Sequence, residues 1–407
     1  MFLAISHNHT TSLLLAAFIG FASWTISGCS SRTANVPLDL TTQTIQAMTD
    51  FNLAFSPASI SDSSQYSDGW SRQYAGRMVT KSFEIPSGFD HPEIIVSLKL
   101  QSAGDPWDKS GAVLLMPKNW NDDILADTAK SPGILLDAAN GFNPPIELLR
   151  FITPFGVGHF SQKKGAEEYR PIYIPKWENE VLWQNDVSHL WDSMEDSITL
   201  GVYIDTWSSE GFDLNLDLKF VQQAALRNPP PIREVLSLVN TTKIHSEQHP
   251  FDGFASGPLD FTFHLTEASR NTTLHYIATG HGGHSAGDEF VRCEHSIALD
   301  DDTVAQFTPW RDDCASFRRF NPSSGVWTER TYWRGDSIDE RIASSDYSRS
   351  GWCPGSDVPA LEFKLGNLDA GHHQLTIDVP TAQAYTDSEM NFWNVAAYLS
   401  WERPEEL

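Results

Sequence analysis

The stretch Gly280–Phe290, GHGGHSAGDEF, gathers two histidines, four glycines and the adjacent carboxylates of Asp288 and Glu289. Two chemistries fit. His281 and His284, three positions apart on a loop that the glycines let bend, offer imidazoles to a metal, with His295 near and His372-His373 distant. A metal site, however, needs three or four convergent ligands and support behind them. In the other reading Asp288 or Glu289 is an acid/base group ahead of a strand-like run from Phe290 to Leu299.

Two more carboxylates sit beside tryptophan at the ends of apolar runs. Asp108 follows Trp107 in DPWDKS, just before AVLLM, and Asp205 closes the apolar run in VYIDTW, next to Trp207. A partly dry, ring-lined pocket raises the pKa of one carboxyl while a better solvated partner stays ionised, which suits acid/base catalysis. The bland alternative is that such aspartates cap turns, that Trp107 and Trp207 are core rings, and that Arg349 is a solvated strand-edge charge. With 53 acidic residues, residue type alone selects none of them.

The elements that must position these groups read as strands. Phe212, Leu214, Leu216, Leu218 and Phe220 alternate with Asp213, Asn215, Asp217 and Lys219, which means a sheet with one buried and one wet face. KSFEIP, IIVSLKL, AVLLMP, LDFTFHL, HQLTIDV and NVAAYLSW extend the pattern across both halves, and 26 glycines and 23 prolines punctuate them. Short strands need a second sheet to cover each apolar face, so the fold class expected is all-β: two adjacent antiparallel β-sandwiches. RNPPPIREV cannot be a central strand, because proline donates nothing to a ladder, and it marks the boundary. The expected domains are residues 76–228 and 229–407, preceded by a Ser/Thr-rich tether over 29–75 and a targeting segment over 1–28.

Leu13–Ala22 is an apolar run too short to span a bilayer, and Ile26-Ser27-Gly28-Cys29 resembles a bacterial lipoprotein cleavage site. Lipidation of Cys29 and anchoring at the cell envelope are expected, although His7 and His9 stand where lysine or arginine is usual, which keeps plain secretion open. In an oxidising compartment the other three cysteines allow one disulfide and one thiol. Cys314 and Cys353 lie in loop-like surroundings, and Cys293 interrupts a strand-like run. A net charge of −25 repels phosphate backbones and argues against nucleic acid.

PWDKS, RFITPFGVG, VYIDTW, EFVRCEHSI and SRSGWCPG occur in the order and approximate spacing of bacterial peptide-N-glycosidase F, and the chain resembles that family from about Met78 to Trp401. The resemblance implies two jelly rolls side by side and hydrolysis of the amide joining asparagine to the first N-acetylglucosamine of an N-linked glycan. It needs no metal or other cofactor. It places the essential aspartate on Asp108, the second-domain glutamate on Glu289, a third acid on Asp205, an arginine on Arg349 and the disulfide on Cys314 and Cys353. Trp107, Trp207, His281 and Trp352 would contact the sugar. On this reading Glu289, rather than a metal, is what the Gly280–Phe290 loop carries.

Two departures stand out. The family writes Glu-Thr-Trp where this chain has Asp205-Thr206-Trp207, and a carboxylate misplaced by ~1 Å can cost about a hundredfold in rate. The family's disulfides beside the aspartate and around the glutamate have no counterpart. Expected partners are N-glycosylated proteins or glycopeptides acted on by a monomer, with the membrane met only through the lipid. The rival readings are a surface glycan-binding protein that has lost turnover and a copper-dependent monooxygenase of similar architecture.

Overall fold

The structure, a computed structural model, describes residues 41–57, 67–118, 134–135, 143–161, 174, 176–222, 230–242, 253–283 and 286–403. Cys29, the targeting segment, the start of the expected tether and His284 lie outside these. Among the described residues the first half of the chain forms β1 (Thr42–Leu53), β2 (Ser71–Gln73), β3 (Met78–Glu84), β4 (Glu93–Ser102), β5 (Ser110–Leu115), β6 (Ile134–Leu135), β7 (Ile146–Ile152), β8 (Val181–Asp186), β9 (Ser197–Ile204) and β10 (Phe212–Val221). The second half forms β11 (Arg233–Asn240), β12 (Leu259–Leu265), β13 (Ser269–His281), β14 (His295–Leu299), β15 (Asp302–Phe307), β16 (Val326–Trp333), β17 (Asp336–Ala343), β18 (Leu361–Leu368), β19 (Gly371–Asp378) and β20 (Phe392–Glu402).

All ladders between these strands are antiparallel, as the all-β, two-sandwich expectation requires. The first sandwich faces the sheet β1-β10-β4-β8 against β2-β3-β9-β5-β7. Its core shows why the alternation matters: Leu214, Leu216 and Leu218 of β10 and Val96, Leu98 and Leu100 of β4 all turn one way and are at most 1% exposed. Each such burial stabilises by about 1.5–3 kcal/mol relative to exposure. The second sandwich faces β18-β13-β20-β11-β6 against β12-β19-β14-β15 around Phe263, Leu274, Leu375 and Val395.

Two boundary expectations need correction. The tether cannot extend to residue 75, because Thr42–Leu53 is β1, hydrogen-bonded along β10, and β2 adds a further edge. The strand escaped the sequence reading because register shifts at Gln46/Met48 and Met48/Phe51 break its period, leaving Ala47, Met48, Phe51 and Leu53 as irregularly spaced anchors. In addition β6, from within the expected first domain, pairs with β11 in the second sandwich.

The hairpin β16–β17 belongs to neither sandwich. It forms a two-stranded sheet by itself, from Val326↔Ala343 to Trp333↔Asp336.

Candidate active site

The site lies at the seam of the sandwiches, where RFITP meets GWCPG. Ile152 donates its N–H to Ser356 O and receives that of Gly355, and Val358 donates to Arg150 O, so the two motifs run side by side. Trp183 Nε1 closes onto Gly355 O at 3.0 Å. Beneath them Arg150, 1% exposed, forks onto both carboxylate oxygens of Glu147 and reaches Asn394 O at 2.8 Å on β20. A charge this deep persists only when paired and fully hydrogen-bonded, which ties the arginine of RFITP to Glu147 and β20.

Asp108 rides on the loop between β4 and β5, and its neighbours are clamped. The buried Asp105 carboxylate receives the Trp107 N–H at 2.9 Å and the Thr206 hydroxyl at 2.6 Å. Thr153 Oγ1 accepts from Lys109 N at 2.7 Å and donates to Trp107 O at 3.1 Å. Burial raises the Asp108 pKa; the nearby charges of Arg349 and then Lys109 oppose that rise.

Glu289 comes from the other sandwich. Its N–H donates to Gly282 O at 3.2 Å and its carbonyl accepts from Ser350 N at 2.9 Å, which sets it beside Arg349. Gly282 is required in this loop: at φ +90°, a Cβ would lie 2.0 Å from Met390 O. Arg349, 2% exposed, donates Nε–H to Glu289 Oε1 at 2.8 Å, Nη1–H to Tyr347 O at 2.9 Å and Nη2–H to Ser344 O at 2.8 Å. Burial pushes Glu289 up to about 7, against the pull of Arg349 and with the help of the negative charge on Asp108. The negative charge of Asp108, far away in sequence and on the other sandwich, thus reaches Glu289 across the seam and helps to raise its pKa. The neighbouring Asp288 does a different job. Fully buried, it accepts the Gln383 N–H on both oxygens at 3.1 Å and anchors the loop, with burial lifting it to about 6.

Asp205 immediately follows β9 on the first sandwich. Its Oδ1 receives Arg77 Nη1–H at 2.9 Å and Trp207 Nε1–H at 3.2 Å. Burial raises its pKa, with Lys109 and Arg77 opposing. Lys109 thus influences both Asp108 and Asp205, whereas Arg349 links Asp108 to Glu289.

The aromatic expectations divide. Trp107 is 60% exposed beside Asp108, so it is not a core ring. Trp207 is half-buried under the Arg77 guanidinium, which lies 4.1 Å from its ring. Trp352 needs correction as a pocket-lining residue: it is 3% exposed, donates its indole N–H to Gly280 O at 2.8 Å and packs on Ile152, Ile277, Val358 and Ala396. It forms a floor under Arg349, 4.9 Å away. Arg349 in turn is no solvated edge charge. His281 stacks on Trp352 and Phe392 and shares a 2.8 Å hydrogen bond with Thr279, and burial lowers its pKa to about 3, so it is neutral.

Cys314 and Cys353 form a disulfide that ties the turn after β15 to the segment carrying Arg349 and Trp352, and Cys293 is a buried free thiol. Among the described residues no group of three or more His, Cys, Asp or Glu is arranged to hold a metal ion. A polar cavity of about 760 Å³ opens elsewhere, around His189 and His275, and none of the expected site residues lines it. Sequence reasoning missed Lys109, Arg77 and Asp105. Lys109 was adjacent to Asp108 in PWDKS, but nothing local marked Arg77 as the partner of a residue 128 positions away.

Comparison with known proteins bears on this arrangement. Residues 44–220 match the family model described as peptide-N-glycosidase F, N terminal, and residues 252–400 match its C-terminal counterpart. A solved structure of PNGF-II is 32% identical with a TM-score of 0.72, covering 90% of this chain; the chain spans 66% of that protein's length, under two thirds. A peptide-N(4)-(N-acetyl-beta-D-glucosaminyl) asparagine amidase is 16% identical over 90% of this chain and 98% of its own, with a TM-score of 0.57. PNGase F, a glycosylasparaginase from Flavobacterium meningosepticum, is 16% identical over 89% and 96%, with a TM-score of 0.56. No curated protein sequence matches the chain.

Proposed function

The chain belongs to the peptide-N-glycosidase F family, and from that premise we propose that it hydrolyses the amide joining asparagine to the first N-acetylglucosamine of N-glycans on glycoproteins or glycopeptides. The observation that carries this is the meeting of Asp108 and Glu289 around Arg349, one carboxyl from each sandwich. A pair in which one member holds its proton near neutrality supplies what amide hydrolysis needs. Water adds through oxygen to the side-chain carbonyl carbon as one carboxylate takes its proton. The C–N bond breaks as the other carboxyl gives a proton to nitrogen, leaving aspartate and a glycosylamine.

Asp108 is the main acid/base group, facing the linkage and the attacking water. Glu289, the member that keeps its proton near neutrality, gives that proton to the departing nitrogen and helps to orient the substrate, and Asp205 orients water and substrate. Arg349 has two of its nitrogens fixed by carbonyls, so its charge stays in place as negative charge develops on the carbonyl oxygen. The exposed Trp107 ring offers a flat face to the sugar, with Trp207 beside Asp205. Export, lipid attachment at Cys29 and action as a monomer belong to the same proposal and rest on the sequence of the first residues and on the chemistry of the substrate.

The test is product analysis. Incubation with a denatured glycoprotein should release glycan, convert the linking Asn to Asp and proceed in the presence of chelator. Tight binding without product over a long incubation would select the glycan-binding alternative that the shortened Asp205 allows. Bound copper in stoichiometric amount after dialysis would revive the monooxygenase reading.

A further inference from the structure

Immediately beyond Glu289 a second feature opens. Phe290, Trp310, Trp327 and Tyr347, all partly exposed, wall a cavity of about 610 Å³, within the range of pockets that hold small ligands. The cavity adjoins the candidate site through the chain neighbours of Glu289 and Arg349. Phe290 follows Glu289 in the chain and lies 5.1 Å from the Arg349 guanidinium, and Arg349 Nη1 holds the Tyr347 carbonyl. Trp327 forms the middle of the wall, 5.4 Å from Phe290 and 4.6 Å from Tyr347.

One wall is the hairpin β16–β17. Outside Ala343 its described side chains are exposed or half-buried, and a lone two-stranded hairpin is marginal in water. Trp327 attaches it to the body through Phe290 and Tyr347. The polar groups at the cavity are Glu329, Thr328 and Ser348, with the Tyr347 hydroxyl bonded to the Glu329 carboxylate. Ring faces, a carboxylate and hydroxyls are what a neutral pyranose uses: its C–H faces stack and its hydroxyls pair with the oxygens. Glu329 is the charged side chain lining the cavity, and the Arg292 and Arg349 guanidiniums stack on the Trp310 and Phe290 rings of its wall.

We propose that this aromatic cavity is a saccharide subsite that holds glycan residues beyond the one at the scissile linkage, with Trp327 as its central ring and Glu329 as its hydroxyl acceptor. The proposal rests on the amidase reading of the neighbouring acids, and it makes the free-standing hairpin a determinant of glycan size.

The experiment compares one peptide carrying a single N-acetylglucosamine with the same peptide carrying a branched core oligosaccharide, using the full chain and its Trp327→Ala and Glu329→Gln variants. The expected result is a KM raised on the order of tenfold for the larger glycan in Trp327→Ala, as loss of one central contact entails, with kcat and the single-sugar KM unchanged. Equal KM changes on both substrates, no change on either, or a KM that follows the peptide's flanking residues would overturn it. If the wild-type chain releases nothing, the amidase reading fails by itself. The cavity is then tested by tryptophan fluorescence with the free oligosaccharide: binding by wild type and its loss in Trp327→Ala supports the subsite, and absence of binding by wild type rejects it.

Discussion

Arg349 donates its Nε–H to Glu289 at 2.8 Å while its terminal nitrogens hold the carbonyls of Tyr347 and Ser344. The cation is therefore positioned by backbone and not by the carboxylate it serves, and it stays in place whichever protonation state Glu289 adopts. Burial still prevails over it, helped by Asp108, and Glu289 keeps its proton up to about pH 7.

That balance sets a pH dependence. The folded pKa of Glu289 lies above its ordinary 4.5, so the stability it contributes is complete below that value and is lost as pH rises through about 7. With Glu289 protonated in the working state, kcat should fall through the same range. Glu289→Gln should lose that limb and about a hundredfold or more in rate. A rate–pH series alongside thermal melts checks both signs.

Asp108→Asn should reduce glycan release by roughly 10²–10⁴-fold with a near-unchanged melting temperature. The site already disfavours the charged carboxylate, so a neutral amide of similar shape is tolerated there. Steady-state kinetics and a melt on the same preparation separate lost chemistry from lost fold.

Asp205 has a structural duty as well. Arg77 has a side chain only 2% exposed and is paired with it at 2.9 Å. Asp205→Ala removes a largely buried ion pair, and denaturant unfolding should show a loss of about 1–3 kcal/mol together with reduced turnover. Asp205→Glu keeps the pair and pushes the carboxylate outward, so its turnover should equal or exceed wild type.

The Cys314–Cys353 bridge closes a separation of 39 residues that includes the hairpin and Arg349. Chain entropy makes a loop of that length worth about 4 kcal/mol. Reduction should lower the melting temperature, and turnover should fall with it as Arg349 loosens; Cys293→Ala, a truncation in the core of the second sandwich, should lower the melting temperature slightly and leave turnover of the folded protein unchanged.

What the sequence revealed depended on how local each signal was. The alternation of β10 was readable because each buried leucine has an unbroken partner row on β4. β1 was not, because two register shifts hide its period. The acids beside tryptophan, and Arg349 ahead of GWCPG, could be picked out through motifs, whereas Arg77 and Lys109 reach Asp205 only through the fold. Trp352 misled for a related reason. An aromatic in a Gly-rich motif suggests a sugar platform, but the seam between two sandwiches also needs a large ring to fill it.

The most direct measurement follows the Glu289 carboxyl itself by ¹³C NMR across pH, in wild type and in Asp108→Asn. The account predicts a midpoint near 7 in wild type that moves down once the negative charge of Asp108 is removed. A midpoint in the ordinary carboxylate range, or one indifferent to Asp108→Asn, would contradict the pairing of these two acids across the seam.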